Sequence, residues 1–95
     1  MMQEYTTRWF VGQDCIKVSE NYIYISKVAF NRLGKPRFIE VWYDTDIKAI
    51  KIIPVKEGLG RRTTEQSHGA VHLSLKLGKV MPTGTYFADG DLFRL

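Results

Sequence analysis

The chain has 95 residues, of which 44% are hydrophobic and 25% charged, and its formal net charge is +4. This length suits one folded domain with a single core and is too short for two ordinary domains. No run of about eighteen apolar residues occurs, which excludes a membrane-spanning helix. The start of the chain lacks the features of a secretory signal, and the single cysteine cannot form an internal disulfide. We therefore predict one soluble domain over residues 1–95, located in the cytoplasm and without a membrane partner.

The N-terminal part of the sequence predicts a β-hairpin over residues 8–19. Its first strand covers Arg8–Val11, which is rich in aromatic and β-branched residues, and a turn follows over Gly12–Asp14. The second strand covers Cys15–Ser19, where apolar and polar residues alternate. The hairpin leads into the most regular stretch of the chain.

That stretch is a first unit over residues 22–54. It begins with Tyr22–Ile25, where isoleucines and tyrosines alternate as in a strand. Ser26 is predicted to cap a helix of about two turns, which ends at Gly34, before Pro36. A helix this short is stable only when its apolar stripe packs on the strands. The stripe consists of Ala29, Phe30 and Leu33.

A hairpin completes the first unit. Phe38–Tyr43 and Ile47–Ile53 are rich in strand-forming residues, and Asp44–Asp46 suits the turn between them. Pro54 is predicted to end the second of these strands. The next segment, residues 56–69, is rich in glycine and polar residues and predicts a long exposed loop, a kind of segment that often carries function.

Residues 70–95 look like a degenerate second unit. Val71–Ser74 matches Ile23–Ser26 as an alternating strand that runs into serine, and Leu77-Gly78 matches Leu33-Gly34. A hairpin around an Asp-Gly turn follows. The serine and the Leu-Gly pair are one helical turn closer together in this copy. The sequence therefore predicts a mostly β (α+β) fold of two βαββ-like units with one or two short helices.

The order of elements in the first unit resembles that of AbrB/SpoVT-type transition-state regulators and MazE-like antitoxins. The resemblance covers Ile23–Ile53, and more faintly Val71–Leu95, and rests on Ser26 at the helix start, Leu33-Gly34 at its end, a following proline and the hairpin. It implies a small swapped-hairpin β-barrel and binding to DNA. Since both units lie in one chain, it implies a barrel built by a monomer, with a homodimer as the alternative. The Pro-Gly-Asp turn of that family is replaced here by Pro36-Arg37-Phe38, and we transfer none of the family's DNA-contacting residues.

A second resemblance is to small uncharacterised proteins of phages and prophages. It rests on Ile25-Ser26-Lys27, Leu33-Gly34 and Tyr43-Asp44. It implies a protein from a phage or mobile element.

Basic residues around the helix exit and in the long loop are the candidates for a binding site. No acidic residue lies between Glu20 and Glu40 in the sequence. Clusters of this kind neutralise nucleic-acid phosphates, although lysine and arginine also cover ordinary solvated surfaces. The candidate nucleic-acid-binding residues are Lys27, Arg32, Lys35, Arg37, Arg61 and Arg62, and Lys76 and Lys79 add positive charge in the second unit.

Four aromatic residues could stack on bases if they were exposed on a sheet face, although core or cross-strand packing is the more common role of such residues. They are Tyr22, Tyr24, Trp42 and Tyr43.

Neither an enzyme nor a metal or cofactor site is predicted. His68 and His72 have a ligand spacing only on a helix, and here they span a loop end and a strand. Gly58–Arg62 lacks the Gly-Lys-Ser/Thr ending of a phosphate-binding P-loop. Cys15 has no histidine near it in the sequence, so we interpret Cys15 as a half-buried packing residue. The carboxylates in predicted turns suit local backbone hydrogen bonding; these are Asp44, Asp46, Asp89 and Asp91.

The sequence thus predicts a small basic binding protein, in the first place a nucleic-acid-binding regulator of phage or mobile-element type. The alternative is a phage-encoded inhibitor, of anti-defence or anti-CRISPR type, that binds a host protein complex through the long loop or an exposed sheet edge.

Overall fold

A computed structural model of the protein describes residues 12–67 and 69–95. These residues form a curled antiparallel sheet of eight strands with one short α-helix, which confirms the predicted mostly β class. The predicted first strand, Arg8–Val11, and His68 lie outside the described residues. The strands are β1 Cys15–Val18, β2 Ile23–Ile25, β3 Phe38–Asp44, β4 Ala49–Val55, β5 Arg61–Arg62, β6 Val71–Leu73, β7 Gly84–Asp89 and β8 Leu92–Arg94. The α-helix α1 spans Lys27–Arg32, and a 3-10 helix spans Leu77–Lys79.

One face of the curled sheet holds the core. Successive side chains of a strand point to opposite faces, so β2 and β6 send every second residue inward, as do Ile16 and Val18 of β1. The isoleucines of β2, which share one face as predicted, are fully buried, and Tyr86 of β7 and Phe93 of β8 belong to the same buried cluster. The Tyr86 hydroxyl remains satisfied there because it donates a hydrogen bond to the Pro82 carbonyl at 2.6 Å.

Helix α1 begins and ends as the sequence predicts. The Ser26 hydroxyl accepts a hydrogen bond from the Ala29 amide at 3.1 Å. At the other end, Gly34 adopts φ +86°, and the Gly34 and Lys35 amides donate to the carbonyls of Asn31 and Phe30, the Schellman pattern. Of the predicted stripe, Ala29 and Phe30 are buried, and Leu33 packs against the core.

The β3–β4 hairpin differs from the prediction at its turn and at the end of β4. Asp44 accepts hydrogen bonds from the Asp46 and Ile47 amides, so the turn extends over residues 45–48 and β4 begins at Ala49. The prediction that Pro54 ends the strand is wrong, because Pro54 lies within β4 opposite Ile39. Strand β8 flanks β4 only at its start, so proline's missing amide is tolerated there.

The second unit contains the predicted strand, a 3-10 turn and a hairpin. Strands β2 and β6 pair with each other, as do β4 and β8. Because β2 and β6 are antiparallel, α1 and the 3-10 helix leave the sheet at opposite ends. This pairing is what two related units would produce, and the duplication itself stays a prediction.

The predicted loop over residues 56–69 contains more structure than expected. Its middle forms β5, which pairs with the start of β3, and Glu65 makes a single bridge to Val71. No helix in the described part of the chain is both long and apolar enough to cross a membrane.

Candidate ligand-binding groove

Two of the six predicted binding residues have acidic partners. The Arg32 guanidinium donates two hydrogen bonds to the Asp14 carboxylate and lies 5.3 Å from the centre of the Phe93 ring. The Lys35 ammonium lies 3.7 Å from a carboxylate oxygen of Glu65. These cations are engaged within the fold, so an anionic ligand would have to compete with Asp14 and Glu65 for them.

The other four predicted residues are exposed and belong to α1, to the residue before β3 and to β5. Lys27 begins α1, and its aliphatic chain passes so close to Gly69 that a Cβ there would lie 2.9 Å from the Lys27 Cδ. Arg37 precedes β3, and its carbonyl accepts a hydrogen bond from the Thr63 amide. Arg62 and Arg61 are neighbours in β5 and therefore point to opposite faces.

Arg61 faces the inner side of the sheet. It lies opposite Ile39, which is fully buried, and directly opposed residues of antiparallel strands share a face. The close approach of the chain at this point requires glycine. Gly60 has φ +67°, and a Cβ on it would lie 2.3 Å from the Ile39 carbonyl oxygen.

The sheet leaves an opening beside β3. Strand β1, by comparison, lies between two strands, because it pairs with β7 over Cys15–Val18 and with β2 over Ile16–Val18. Strand β5 pairs with only two residues of β3, Phe38 and Ile39. Among the described residues, no strand therefore flanks Glu40–Asp44 on the side away from β4.

A groove of about 460 Å³ occupies this opening, between β3 and the segment that joins β6 to the 3-10 helix. We call it the seam groove. Its volume is within the range of about 300–1,000 Å³ that is typical of small-ligand sites. Its apolar lining consists of Val41, Leu75, Leu77 and Val80, and its polar lining consists of Tyr43, Arg61, Ser74 and Lys76.

The described residues that line the seam groove carry positive charge only. Arg61 comes from β5 and Lys76 from the segment before the 3-10 helix, and both are exposed. Neither forms an ion pair with any residue that the structure describes. The described residues that line the groove include no carboxylate, so an anionic group that enters it meets two cations and no acidic side chain from this part of the chain.

The four aromatic candidates divide into two pairs. Tyr22 and Tyr24 both contact the His72 ring, with ring centres 4.5 and 6.3 Å apart, which agrees with the expected packing role. Trp42 and Tyr43 are instead 60% and 50% exposed. Because they are adjacent in β3, Tyr43 lies on the groove side and Trp42 on the outer face, where its indole N–H donates to Glu40.

Cys15 is more deeply buried than predicted. It lies in β1 and is 0% exposed, and this burial is the main reason that the pKa of its thiol is raised. The hydrogen bond with Ser26 lowers the pKa, and the nearby Asp14 carboxylate raises it further. A raised pKa disfavours the nucleophilic thiolate. No group of three or more potential metal ligands occurs among residues 12–67 and 69–95.

Sequence reasoning identified Arg61 but not the groove. Tyr43 is also a candidate for base stacking, and Lys76 is an added positive charge. Nothing in their spacing along the sequence predicts that they line the same groove. The opening follows from the short length of β5 relative to β3, which only the strand pairing shows. A strand of two residues cannot cover an edge of seven.

Comparison of the chain with protein-family models, with curated proteins and with solved structures gave no match in any of the three.

Proposed function

We propose that the protein is a nucleic-acid-binding regulator and that its ligand enters the seam groove. The observation that carries this proposal is the pair of groove cations Arg61 and Lys76, which have no acidic partner and no acidic neighbour in the groove among the described residues. Phosphates bound there form charge-assisted hydrogen bonds without displacing an existing ion pair. The net charge of +4 adds a weak long-range attraction for polyanions. The similarity of the first unit to AbrB-type regulators supports the regulatory part of the proposal, and the phage-like sequence pattern supports an origin in a mobile element.

Binding is expected to weaken with salt, because phosphate contacts release counterions from the nucleic acid. Two or three such contacts predict a loss of affinity of about seven- to fortyfold between about 50 and 200 mM salt. Fluorescence anisotropy with labelled single-stranded and duplex oligonucleotides at both concentrations measures this dependence. A neutral-backbone analogue of the same sequence is the matched control and should bind weakly at either concentration. Failure of both nucleic acids to bind at the lower concentration would refute the proposal.

A second candidate is a protein that inhibits a host complex by pairing with the edge of β3 at Glu40–Asp44. In the described part of the chain no strand flanks this segment on the side away from β4, which supports the candidate because an unpaired strand edge is a template for strand addition. Main-chain hydrogen bonds depend little on salt. This candidate is favoured over the first if the protein binds no oligonucleotide at about 50 mM salt but keeps a defined protein partner bound at about 200 mM.

A further inference from the structure

We infer that the seam groove takes an unpaired nucleic-acid strand, with one base stacked on Tyr43 and its neighbouring phosphates held by Arg61 and Lys76. This inference rests on the proposed function and specifies its ligand. It predicts a higher affinity for single strands than for duplexes, a preference that the charge of the groove alone does not predict.

The aromatic residue is placed for stacking. Tyr43 is half exposed, although it lies on the same face of β3 as the fully buried Ile39. Its ring is therefore presented inside a groove whose other walls include Val41, Leu77 and Val80. A base that enters gains an aromatic platform and apolar contact together, which is how single-strand-binding proteins hold bases without reading their sequence.

The two cations lie on different walls. Arg61 extends from β5, beside β3, and Lys76 extends from the segment that follows β6. A strand lying along the groove passes between them, so its phosphates can be neutralised on both sides while a base points inward. Arginine's planar fork also suits a phosphate held by two parallel hydrogen bonds.

A duplex does not fit this arrangement. Its bases are stacked on one another and paired at their edges, so none can reach a ring inside a groove unless it is flipped out of the helix. A volume of about 460 Å³ is that of a small-ligand site and suits a short stretch of unpaired nucleotides. A duplex would be limited to the phosphate contacts at the rim.

The test compares two neighbouring aromatic residues on opposite faces of β3. Tyr43→Leu removes the stacking platform and is expected to lower affinity for a labelled oligothymidine about ten- to hundredfold, the loss that removal of one base–aromatic stack produces. Tyr43→Phe keeps the ring and should bind like the wild type. Trp42→Leu removes a larger and more exposed aromatic side chain from the outer face, and should leave affinity within about twofold of the wild type since it lies outside the groove.

The wild type is also titrated with a duplex of equal length and with an acidic peptide. Oligothymidine binding at least about tenfold tighter than duplex binding is expected, given the loss of the stacked base. Equal binding of both nucleic acids, or no effect of Tyr43→Leu, would overturn the inference and leave the proposed function standing. Binding of the peptide alone, or of neither nucleic acid, would overturn both.

Discussion

The double variant Arg61→Glu/Lys76→Glu is expected to bind a single-stranded oligonucleotide at least about a hundredfold more weakly than the wild type at low salt. Each substitution removes a charge-assisted contact that contributes about 1.5–3 kcal/mol and places a repelling carboxylate in the groove. Both residues are exposed and have no ion pair among the described residues, so the fold should be unaffected. Anisotropy titration gives the affinity, and circular dichroism checks the fold.

A matched control separates the groove from net charge. Lys17→Glu/Lys51→Glu changes the charge by the same amount on the outer face, since Lys17 and Lys51 are exposed and alternate with buried residues of β1 and β4. The affinity of this control for the oligonucleotide should fall only about a few-fold, because the substitutions remove only weak, salt-screened, long-range attraction. If both double variants lost affinity equally, binding would depend on overall charge and the groove would have no special role.

The largest expected effect on stability comes from Ser26→Ala. The Ser26 side chain is fully buried, and its hydroxyl accepts hydrogen bonds from the Ala29 amide at 3.1 Å and the Cys15 amide at 3.2 Å. Alanine removes the helix cap and leaves both amides without this acceptor in a place that water does not reach. We expect the free energy of unfolding to fall by about 2–4 kcal/mol and the melting temperature by about 10–25 °C. Thermal and urea denaturation measure both.

Ser74→Ala is the matched control, because Ser74 has the corresponding position in the second unit. Ser74 is exposed, and a substitution there should change the free energy of unfolding by less than about 0.5 kcal/mol. Equal losses from Ser26→Ala and Ser74→Ala would show that the buried hydrogen bonds of Ser26 are not the cause.

The local elements could be predicted from the sequence because their signals are local. The Ser26 cap, the Gly34 terminus and the alternating isoleucines of β2 depend on residues within a few positions of one another, and all three are confirmed. The end of β4 could not be predicted in the same way. Proline usually ends a strand, but Pro54 is tolerated because β8 is too short to flank it, which only the strand pairing reveals.

The candidate site was harder to predict because its residues meet through long-range pairing. Arg32 and Lys35 share a basic stretch of sequence, yet their partners Asp14 and Glu65 lie far along the chain in opposite directions. Arg61 and Arg62 look equivalent in sequence, but the alternation of β5 sends only Arg61 inward. The clusters of basic residues in the sequence therefore predict an anionic ligand. Which of these basic residues line the groove follows only from the position of the opening beside β3.

The most direct test of the account is an NMR titration of the isotope-labelled protein with an unlabelled single-stranded oligonucleotide at low salt. The account predicts amide shift changes concentrated at Tyr43, Arg61 and residues 74–77, with small changes at Lys17 and Lys51 on the outer face. Changes concentrated instead at the helix exit, around Arg32 and Lys35, or the absence of changes at saturating ligand, would contradict it.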